Sequence, residues 1–371
     1  MWSCAYGASS MRVTLPISPR RFADLAATLT TPLLPDDYLG YVNPLWSRRE
    51  PRGVVDGVLP ETADAATIWL RTSVGWPAHA PGQYVRVGVD VDGVRHWRTY
   101  SLTSLPNRRD GRIAITVKAI ANGVVSNQLV RRTRPGDIVR LAPPAGQFTL
   151  PDRLPQRILF VTAGSGITPV AGMLRKLAER RALRNVVHVH LAPSRDDAIF
   201  GDELRRLARH QGSLRYRLHE HWDDTHRTFT VRRLNELVRD LPRRDTWACG
   251  PAGLLDALSE HWMSALNRPD QLNIERFRPV VATTAGEGGT VRFTVSGREV
   301  DADGTTPILV AGEEAGALLP SGCRMGICNS CAGRLTSGAV RDLRTGELER
   351  AEGQMIRTCC SAAAGAVEIE L

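Results

Sequence analysis

The chain has 371 residues, a formal net charge of +9 and seven cysteines. Its length predicts two or three domains, and its scattered basic residues, with no nucleic-acid motif among them, argue against a nucleic-acid partner. The odd number of cysteines argues against a disulfide framework, and we find neither an apolar leader nor an uncharged run of membrane-spanning type, so we expect a cytoplasmic protein that does not itself cross a membrane.

Composition and hydrophobic pattern divide the chain into consecutive segments. Residues 1–50 form an N-terminal extension. Residues 51–150 contain short β-rich runs between Pro/Gly turns, which predict a small antiparallel β-barrel. Residues 151–278 alternate strands with helices, which predicts an α/β domain with a parallel sheet. Residues 279–289 have the composition of a linker, and residues 290–371 open with a predicted hairpin and hold most of the cysteines.

The predicted barrel contains a candidate flavin site. Arg98-Thr99-Tyr100-Ser101 ends a predicted strand, where an arginine can bind a pyrophosphate, a tyrosine can lie against an isoalloxazine and a serine can reach its N5 or O4. Further on, Gly123-Val124-Val125-Ser126 allows close backbone approach and offers amides and a hydroxyl to a phosphate. The first tetrapeptide is common in proteins, so the prediction depends on both segments together.

The predicted α/β domain contains a candidate nucleotide site. Gly164-Ser165-Gly166-Ile167-Thr168-Pro169 follows a strand and precedes a helix, so its glycines would let a pyrophosphate bind at the helix N-terminus. It is not the Rossmann fingerprint, because Pro169 stands where the third glycine would fall. Cys249-Gly250-Pro251 ends a later strand, where a small thiol can border a nicotinamide. The alternative for Cys249 is an ordinary core cysteine.

The cysteines near the C-terminus have metal-ligand spacing. Cys323, Cys328 and Cys331 follow the pattern C-x4-C-x2-C, and Cys359 lies 28 residues further on, which is the spacing of a plant-type [2Fe–2S] cluster. The alternative is structural zinc, but zinc sites usually pair two short C-x2–4-C units and this region has one. Cys360 competes with Cys359 as fourth ligand; on a strand it would point the other way.

With these motifs in this order, residues 51–371 resemble the ferredoxin–NADP reductase superfamily with a C-terminal plant-type ferredoxin domain, as in oxygenase reductases. The resemblance implies a multidomain chain: an FAD-binding antiparallel barrel, an α/β parallel-sheet domain for NADPH or NADH, and an α+β β-grasp ferredoxin domain. It selects Cys359 over Cys360. Through Glu275-Arg276-Phe277 it places Glu275 near the hydride site and Phe277 beside the flavin ring, although both could simply cap the sheet. Ser101, Cys249 and Glu275 are the expected catalytic residues.

The choice of nucleotide depends on the segment after the second strand of the α/β domain. There the resemblance implies that Ser194 and Arg195 receive the 2′-phosphate of NADPH, and an arginine suits a dianionic phosphate better than a ribose hydroxyl. Asp196 and Asp197 follow directly, and acidic side chains at a strand end favour NADH. We therefore expect NADPH and leave NADH open.

The resemblance implies an oxidoreductase that passes electrons from NADPH through FAD and the cluster to an acceptor protein. The segment 34–46 resembles reductases thought to supply membrane-bound acyl-CoA Δ9 desaturases in actinobacteria, so a membrane desaturase is the expected acceptor and the chain could lie at the inner face of the membrane through it. A soluble oxygenase is one alternative; a redox sensor module is a non-enzyme alternative. From residue 287 on, eight Arg oppose twelve Asp and Glu, a net −4, which predicts an acidic face around the cluster.

Overall fold

The computed structural model describes residues 42–46 and 51–371, with gaps at 74, 92, 109, 122, 212–215, 224–227, 278–285, 318, 322–325 and 327–328. Most of the extension, much of the predicted linker and two predicted cluster ligands, Cys323 and Cys328, lie outside the described residues. A single helical turn, Pro44–Trp46, is capped by the Asn43 side chain, which accepts the Leu45 N–H at 2.9 Å.

The first sheet of the described residues has six antiparallel strands. They are β1 (Arg52–Thr62), β2 (Ala65–Thr72), β3 (Tyr84–Val91), β4 (Val94–Ser101), β5 (Arg112–Lys118) and β6 (Ile138–Leu141), in the order β4-β3-β6-β1-β2-β5. Leu102, directly after β4, bridges Ile115 in β5, so the two edges meet and the sheet closes as a barrel. A short helix, α1 (Val124–Asn127), continues as a π-helical turn, Gln128–Arg132, and buries Val125 and Leu129 in the barrel core.

The second sheet is parallel throughout. Its five described strands are β7 (Ile158–Ala163), β8 (Val186–Ala192), β9 (Tyr216–Trp222), β10 (Asp245–Cys249) and β11 (Leu272–Glu275), in the order β11-β10-β7-β8-β9. The accompanying helices are α2 (Ile167–Glu179), α3 (Gly201–Gln211), α4 (Val231–Leu237) and α5 (Ala252–Glu260), with short turns at Gly164–Gly166, Leu241–Arg243, His261–Ala265 and Pro269–Gln271. Along β7, Phe160 joins one apolar cluster while Leu159 and Val161 join another, because successive strand residues face opposite sides of a sheet that is covered on both.

The third sheet is mixed and carries one helix among its described residues. Its strands are β12 (Gly289–Phe293), β13 (Arg298–Ala302), β14 (Ala332–Asp342), β15 (Leu348–Glu349), β16 (Met355–Arg357) and β17 (Ser361–Glu370), in the order β13-β12-β17-β14-β15, with β16 paired to β14. Helix α6 (Ile308–Glu314) buries Ile308 and Ala311 against this sheet. The sequence prediction of a β-barrel, a parallel α/β sheet and an α+β region, in that order, is confirmed.

Cys359 and Cys360 lie in the turn between β16 and β17, not on a strand. Strand alternation therefore does not decide which of the two faces the cluster loop, the name we give to the described residues 326 and 329–331 before β14.

In the part of the chain that the structure describes, every helix is too short or too polar to cross a bilayer.

Candidate active site

A cavity of about 1460 Å³ lies where the three sheets meet. It exceeds the roughly 300–1,000 Å³ of ordinary small-molecule pockets, as a dinucleotide site would. The predicted site residues that line it are Arg98, Thr99, Tyr100, Ser101, Gly123, Val124, Val125, Ser126, Ser165, Thr168, Glu275, Phe277 and Cys359. Segments far apart in sequence, selected for the flavin, the nicotinamide nucleotide or the cluster, therefore line one cavity.

Strand β4 forms the barrel wall of the cavity. Tyr100 is held in an environment where burial raises the pKa of its phenol well above the ordinary value, so it stays neutral. Ser101 is buried and stands opposite Tyr84 of β3. The Thr99 hydroxyl is buried and has no hydrogen-bond partner among the described residues. Because buried polar groups are almost always paired, this orphan fits a wall built for a polar cofactor.

The glycine segment before α1 is shaped by its serine. The Ser126 hydroxyl accepts the Ile120 N–H and donates to the Gly123 carbonyl, both at 3.3 Å. A Cβ on Gly123 would lie 2.4 Å from the Ser126 Oγ, so only glycine fits this turn. The hydroxyl thus serves the turn itself, and the amides of the first helical turn, which lack intrahelical partners, are the groups left for a phosphate.

Gly164 and Gly166 of the β7–α2 loop are each required to be glycine for a different structural reason. Gly164 has a φ of +53°, in the left-handed region that glycine tolerates. A Cβ on Gly166 would lie 2.1 Å from the Cys249 carbonyl oxygen, so Gly166 lets the loop pack directly on the end of β10. The chain winds from β7 to β8 on one side and has β10 on the other. Open α/β sheets bind ligands at such a switch point, outside the carboxyl ends of the strands.

Cys249 and Glu275 end the adjacent parallel strands β10 and β11. Burial raises the pKa of the Glu275 carboxyl to about 7. Cys249 is fully buried, and burial first, then the Glu275 charge, raises the pKa of its thiol well above the ordinary value. Glu275 and Phe277 line the cavity. Cys249 is not among the lining residues of the cavity.

Ser194 and Arg195 lie beyond the end of β8 and do not line the cavity. The Ser194 hydroxyl donates to the Asp197 carboxylate at 2.7 Å. A donor engaged in this way is not free for a phosphate, whereas Arg195 is exposed. Arg195 is therefore the member of the pair that stays available to a 2′-phosphate.

The described cysteines near the C-terminus are free thiols held close together. Thr358 donates its N–H (3.2 Å) and hydroxyl (2.9 Å) to the Cys331 carbonyl, which ties the loop before β14 to the turn after β16. The Gly326 N–H donates to Cys359 Sγ at 3.3 Å, the backbone-to-sulfur bond that a cluster thiolate uses. Cys359 lines the cavity, and Cys360 does not. These contacts fit a cluster, and Cys359 as its fourth ligand stays a prediction; Cys323 and Cys328 lie outside the described residues.

Sequence reasoning missed several lining residues: Tyr84, Arg95, His96, Trp97, Lys118, Leu309, Val310, Glu313 and Ser330. A signal existed for Tyr84. The dipeptide Asp92-Gly93 marks a hairpin turn, and the resulting register places Tyr84 opposite Ser101. No local signal marks α6 or Ser330, because their position depends on how the third sheet sits against the barrel.

Comparisons with known proteins agree with this order. A model of an oxidoreductase FAD-binding domain matches residues 67–150, an oxidoreductase NAD-binding domain matches 160–260, and a 2Fe-2S iron-sulfur cluster binding domain matches 293–364. An NADPH oxidoreductase of Mycobacterium tuberculosis is 48% identical over 345 residues, covering 92% of this chain and 90% of the relative.

Two further similarities extend the comparison. The ferredoxin reductase component of a 3-ketosteroid-9-alpha-monooxygenase from Mycolicibacterium smegmatis is 30% identical, covering 76% of this chain and 81% of the relative. Among solved structures, phthalate dioxygenase reductase is similar with a TM-score of 0.60 and 26% identity, covering 86% of this chain and 97% of that one.

Proposed function

The chain belongs to the ferredoxin reductase-type NAD(P)H oxidoreductases with FAD-binding, NAD-binding and [2Fe–2S] domains, and we propose from this premise that it supplies single electrons to an oxygen-activating iron protein. When bound, FAD would accept a hydride from NADPH and the [2Fe–2S] cluster would pass on the two electrons one at a time, so that each NADPH would reduce two one-electron acceptor centres and release one proton. The fold supplies position, exclusion of water and charge.

One observation carries the proposal: residues selected for flavin, nicotinamide and cluster line the same cavity. Tyr100 of the barrel, Glu275 of the α/β region and Cys359 beside the third sheet all face it. The proposed donor, relay and exit sites therefore adjoin within one chain. Such proximity is what electron transfer between fixed centres requires.

We propose the following roles for the binding residues. Arg98 and the amides of residues 124–126 would hold the flavin pyrophosphate at the turn that Gly123 permits, with Tyr100 and Phe277 beside the ring. Residues 164–169 would hold the pyrophosphate of NADPH, residues 249–251 would lie near its nicotinamide, and Arg195 would bind its 2′-phosphate. Ser101 and Glu275 would border the reacting atoms, and Cys249 would support Glu275 from the adjacent strand β10. The proposed cluster ligands are Cys323, Cys328, Cys331 and Cys359.

For the acceptor we propose a membrane-bound acyl-CoA desaturase. The support is the resemblance of segment 34–46 to reductases of that kind. A second candidate is the terminal component of a soluble oxygenase, because relatives include reductase subunits of monooxygenases for glycine betaine and 3-ketosteroids. A desaturase partner would bring the chain to the membrane surface.

Reconstitution separates the two acceptors. Protein loaded with FAD and cluster is mixed with NADPH and either membranes containing an acyl-CoA desaturase or a purified oxygenase, and product is counted per NADPH. We expect desaturation, and we expect deletion of residues 1–50 to abolish it while cytochrome c reduction continues. Turnover with the oxygenase alone would contradict the desaturase assignment; no cytochrome c reduction by the full chain would contradict the reductase function itself.

A further inference from the structure

Arg86 of the barrel contacts Ser330 in the cluster loop, which precedes β14 of the third sheet. Its guanidinium donates from Nη1 to the Ser330 hydroxyl at 2.8 Å, joining residues 244 positions apart in sequence. Ser330 directly precedes Cys331 and lines the cavity. On the barrel side, Arg86 pairs with Thr99 of β4, two positions along the strands from the pair formed by Tyr84 and Ser101. The contact thus links the wall of the flavin cavity to the cluster loop.

Contacts within the barrel also hold the Arg86 guanidinium in place. Its central carbon lies 5.6 Å from the centroid of the Trp97 ring, within the range of a cation–π contact. The Arg86 carbonyl accepts the Ala142 N–H at 3.0 Å, which anchors its strand. Arg86 is half-buried, so water weakens these interactions less than at an open surface. The barrel therefore presents a rigid cationic donor at one place.

We propose that Arg86 is a positioning residue: it holds the cluster loop against the flavin cavity, and its positive charge stabilises the reduced form of the cluster. The inference rests on the proposed function. A hydrogen bond from a charged donor is stronger than a neutral one and fixes geometry. Reduction adds a negative charge to the cluster, and a nearby cation stabilises that state, which raises the reduction potential.

The two roles are tested with four variants: Arg86→Met, Arg86→Lys, Ser330→Ala and the double variant Arg86→Met with Ser330→Ala. Loaded protein is mixed anaerobically with NADPH, and flavin and cluster reduction are followed separately. We expect Arg86→Met to slow cluster reduction about tenfold or more, since a hydrogen bond to a charged group contributes about 1.5–3 kcal/mol, while flavin reduction keeps its rate. The double variant should be no slower than Arg86→Met alone, because both changes remove one contact.

A redox titration of the cluster provides a readout that is independent of turnover. Arg86→Met should lower the midpoint potential, Arg86→Lys should restore most of it because the charge returns, and Ser330→Ala should change it least. The matched control is Arg71→Met, on β2, where Arg71 pairs with Asp56 at the surface; it should change neither rate nor potential.

Failure of the inference differs from failure of the proposed function. If unmodified protein reduces its cluster with NADPH, and Arg86→Met leaves both the cluster rate and the midpoint potential unchanged, the inference is wrong and the function stands. If Arg86→Met and Arg71→Met lower both quantities equally, a general loss of structure explains them and the positioning role is wrong. If the unmodified protein does not reduce its cluster, the proposed function is wrong.

Discussion

Cys249 and Glu275 are paired residues on the adjacent parallel strands β10 and β11. Cys249 is fully buried and does not line the cavity, whereas Glu275 does. Burial raises the pKa of Glu275 to about 7, and its charge helps to raise the pKa of the Cys249 thiol. At neutral pH the site therefore combines an un-ionised thiol with a carboxyl poised between its two protonation states, the condition that suits proton exchange.

Glu275→Gln should remove a pH dependence from flavin reduction. As the pH rises through about 7, the native carboxyl ionises and places a negative charge beside a ring that is gaining electrons. We expect the native rate to fall above that pH, and the glutamine variant, which cannot ionise, to show no such step. A general acid–base role would add a loss on the order of 100-fold in rate. Stopped-flow flavin reduction with NADPH from pH 5.5 to 9 measures both.

The control for this variant is Asp256→Asn, which removes an exposed carboxyl paired with Arg276. It should keep the native pH profile. A step near pH 7 that persists in Glu275→Gln would assign the titration to another group.

Gly166→Ala should disrupt the nucleotide loop. The new Cβ would stand 2.1 Å from the Cys249 carbonyl oxygen, so the loop must move away from β10. We expect KM for NADPH to rise about tenfold or more, while the flavin content of the purified protein is unchanged. Gly253→Ala in α5 is the matched control, because its Cβ would meet no atom within 4 Å and alanine favours helix by up to about 1 kcal/mol. Equal KM values for the two variants would refute the packing argument.

Arg195→Ala should alter nucleotide selectivity. Because Ser194 already donates to Asp197, we expect the arginine to supply most of the contact with a 2′-phosphate. Loss of a charged hydrogen bond, about 1.5–3 kcal/mol, corresponds to a drop of about 10- to 100-fold in kcat/KM for NADPH. NADH, which lacks that phosphate, serves as the internal control and should be used at the native rate. A parallel loss with both nucleotides would mean that Arg195 only supports the loop.

A buried histidine network in the parallel sheet should make the protein sensitive to acid. The Thr162 hydroxyl lies 2.7 Å from His188 Nε2 and 2.8 Å from His190 Nδ1, and His188 Nδ1 lies 2.9 Å from the Tyr216 hydroxyl. Burial, with a smaller effect of Arg205, lowers the pKa of His190 to about 4. Burial, then His190, lowers that of His188.

The sign of the effect follows from proton uptake. Below about pH 6.5 the unfolded chain protonates these histidines and the native chain does not, so stability falls with decreasing pH until His190 itself is protonated near pH 4. We expect His190 alone to account for about 3 kcal/mol between pH 7 and pH 4. Urea unfolding at several pH values should show a shallower decline for His190→Asn; an unchanged decline would assign the acid sensitivity elsewhere.

Local sequence patterns were enough to predict the site segments whose residues are contiguous in sequence. Gly164–Pro169 and Arg98–Ser101 could be placed because turn chemistry and strand period act over a few residues. The hydrogen bonds that the Ser126 and Ser194 hydroxyls make within their own turns were not predicted, because they depend on the direction of the side chains. The contact between Arg86 and Ser330 escaped because it spans two sheets. The position of Cys360 in a turn likewise follows from the register of β16 and β17, which sequence period does not give.

Charge composition was a poor guide to the surroundings of the cluster loop. The third region has a net negative charge, yet the side chains that contact the loop residues Gly326, Asn329 and Ser330 include three arginines: Arg344, Arg357 and Arg86. Net charge sums over a whole domain, whereas docking depends on the groups at one face. An acidic face around the cluster therefore remains a sequence prediction, and these contacts do not favour it.

The central claim is that flavin and cluster exchange electrons within one chain, across the cavity that Tyr100 and Cys359 share. The most direct test mixes loaded protein with excess NADPH anaerobically and follows the appearance of reduced cluster at protein concentrations varied over a hundredfold range. We expect a first-order rate that does not change with protein concentration. A rate that rises in proportion to protein concentration would show transfer between molecules and would contradict the claim.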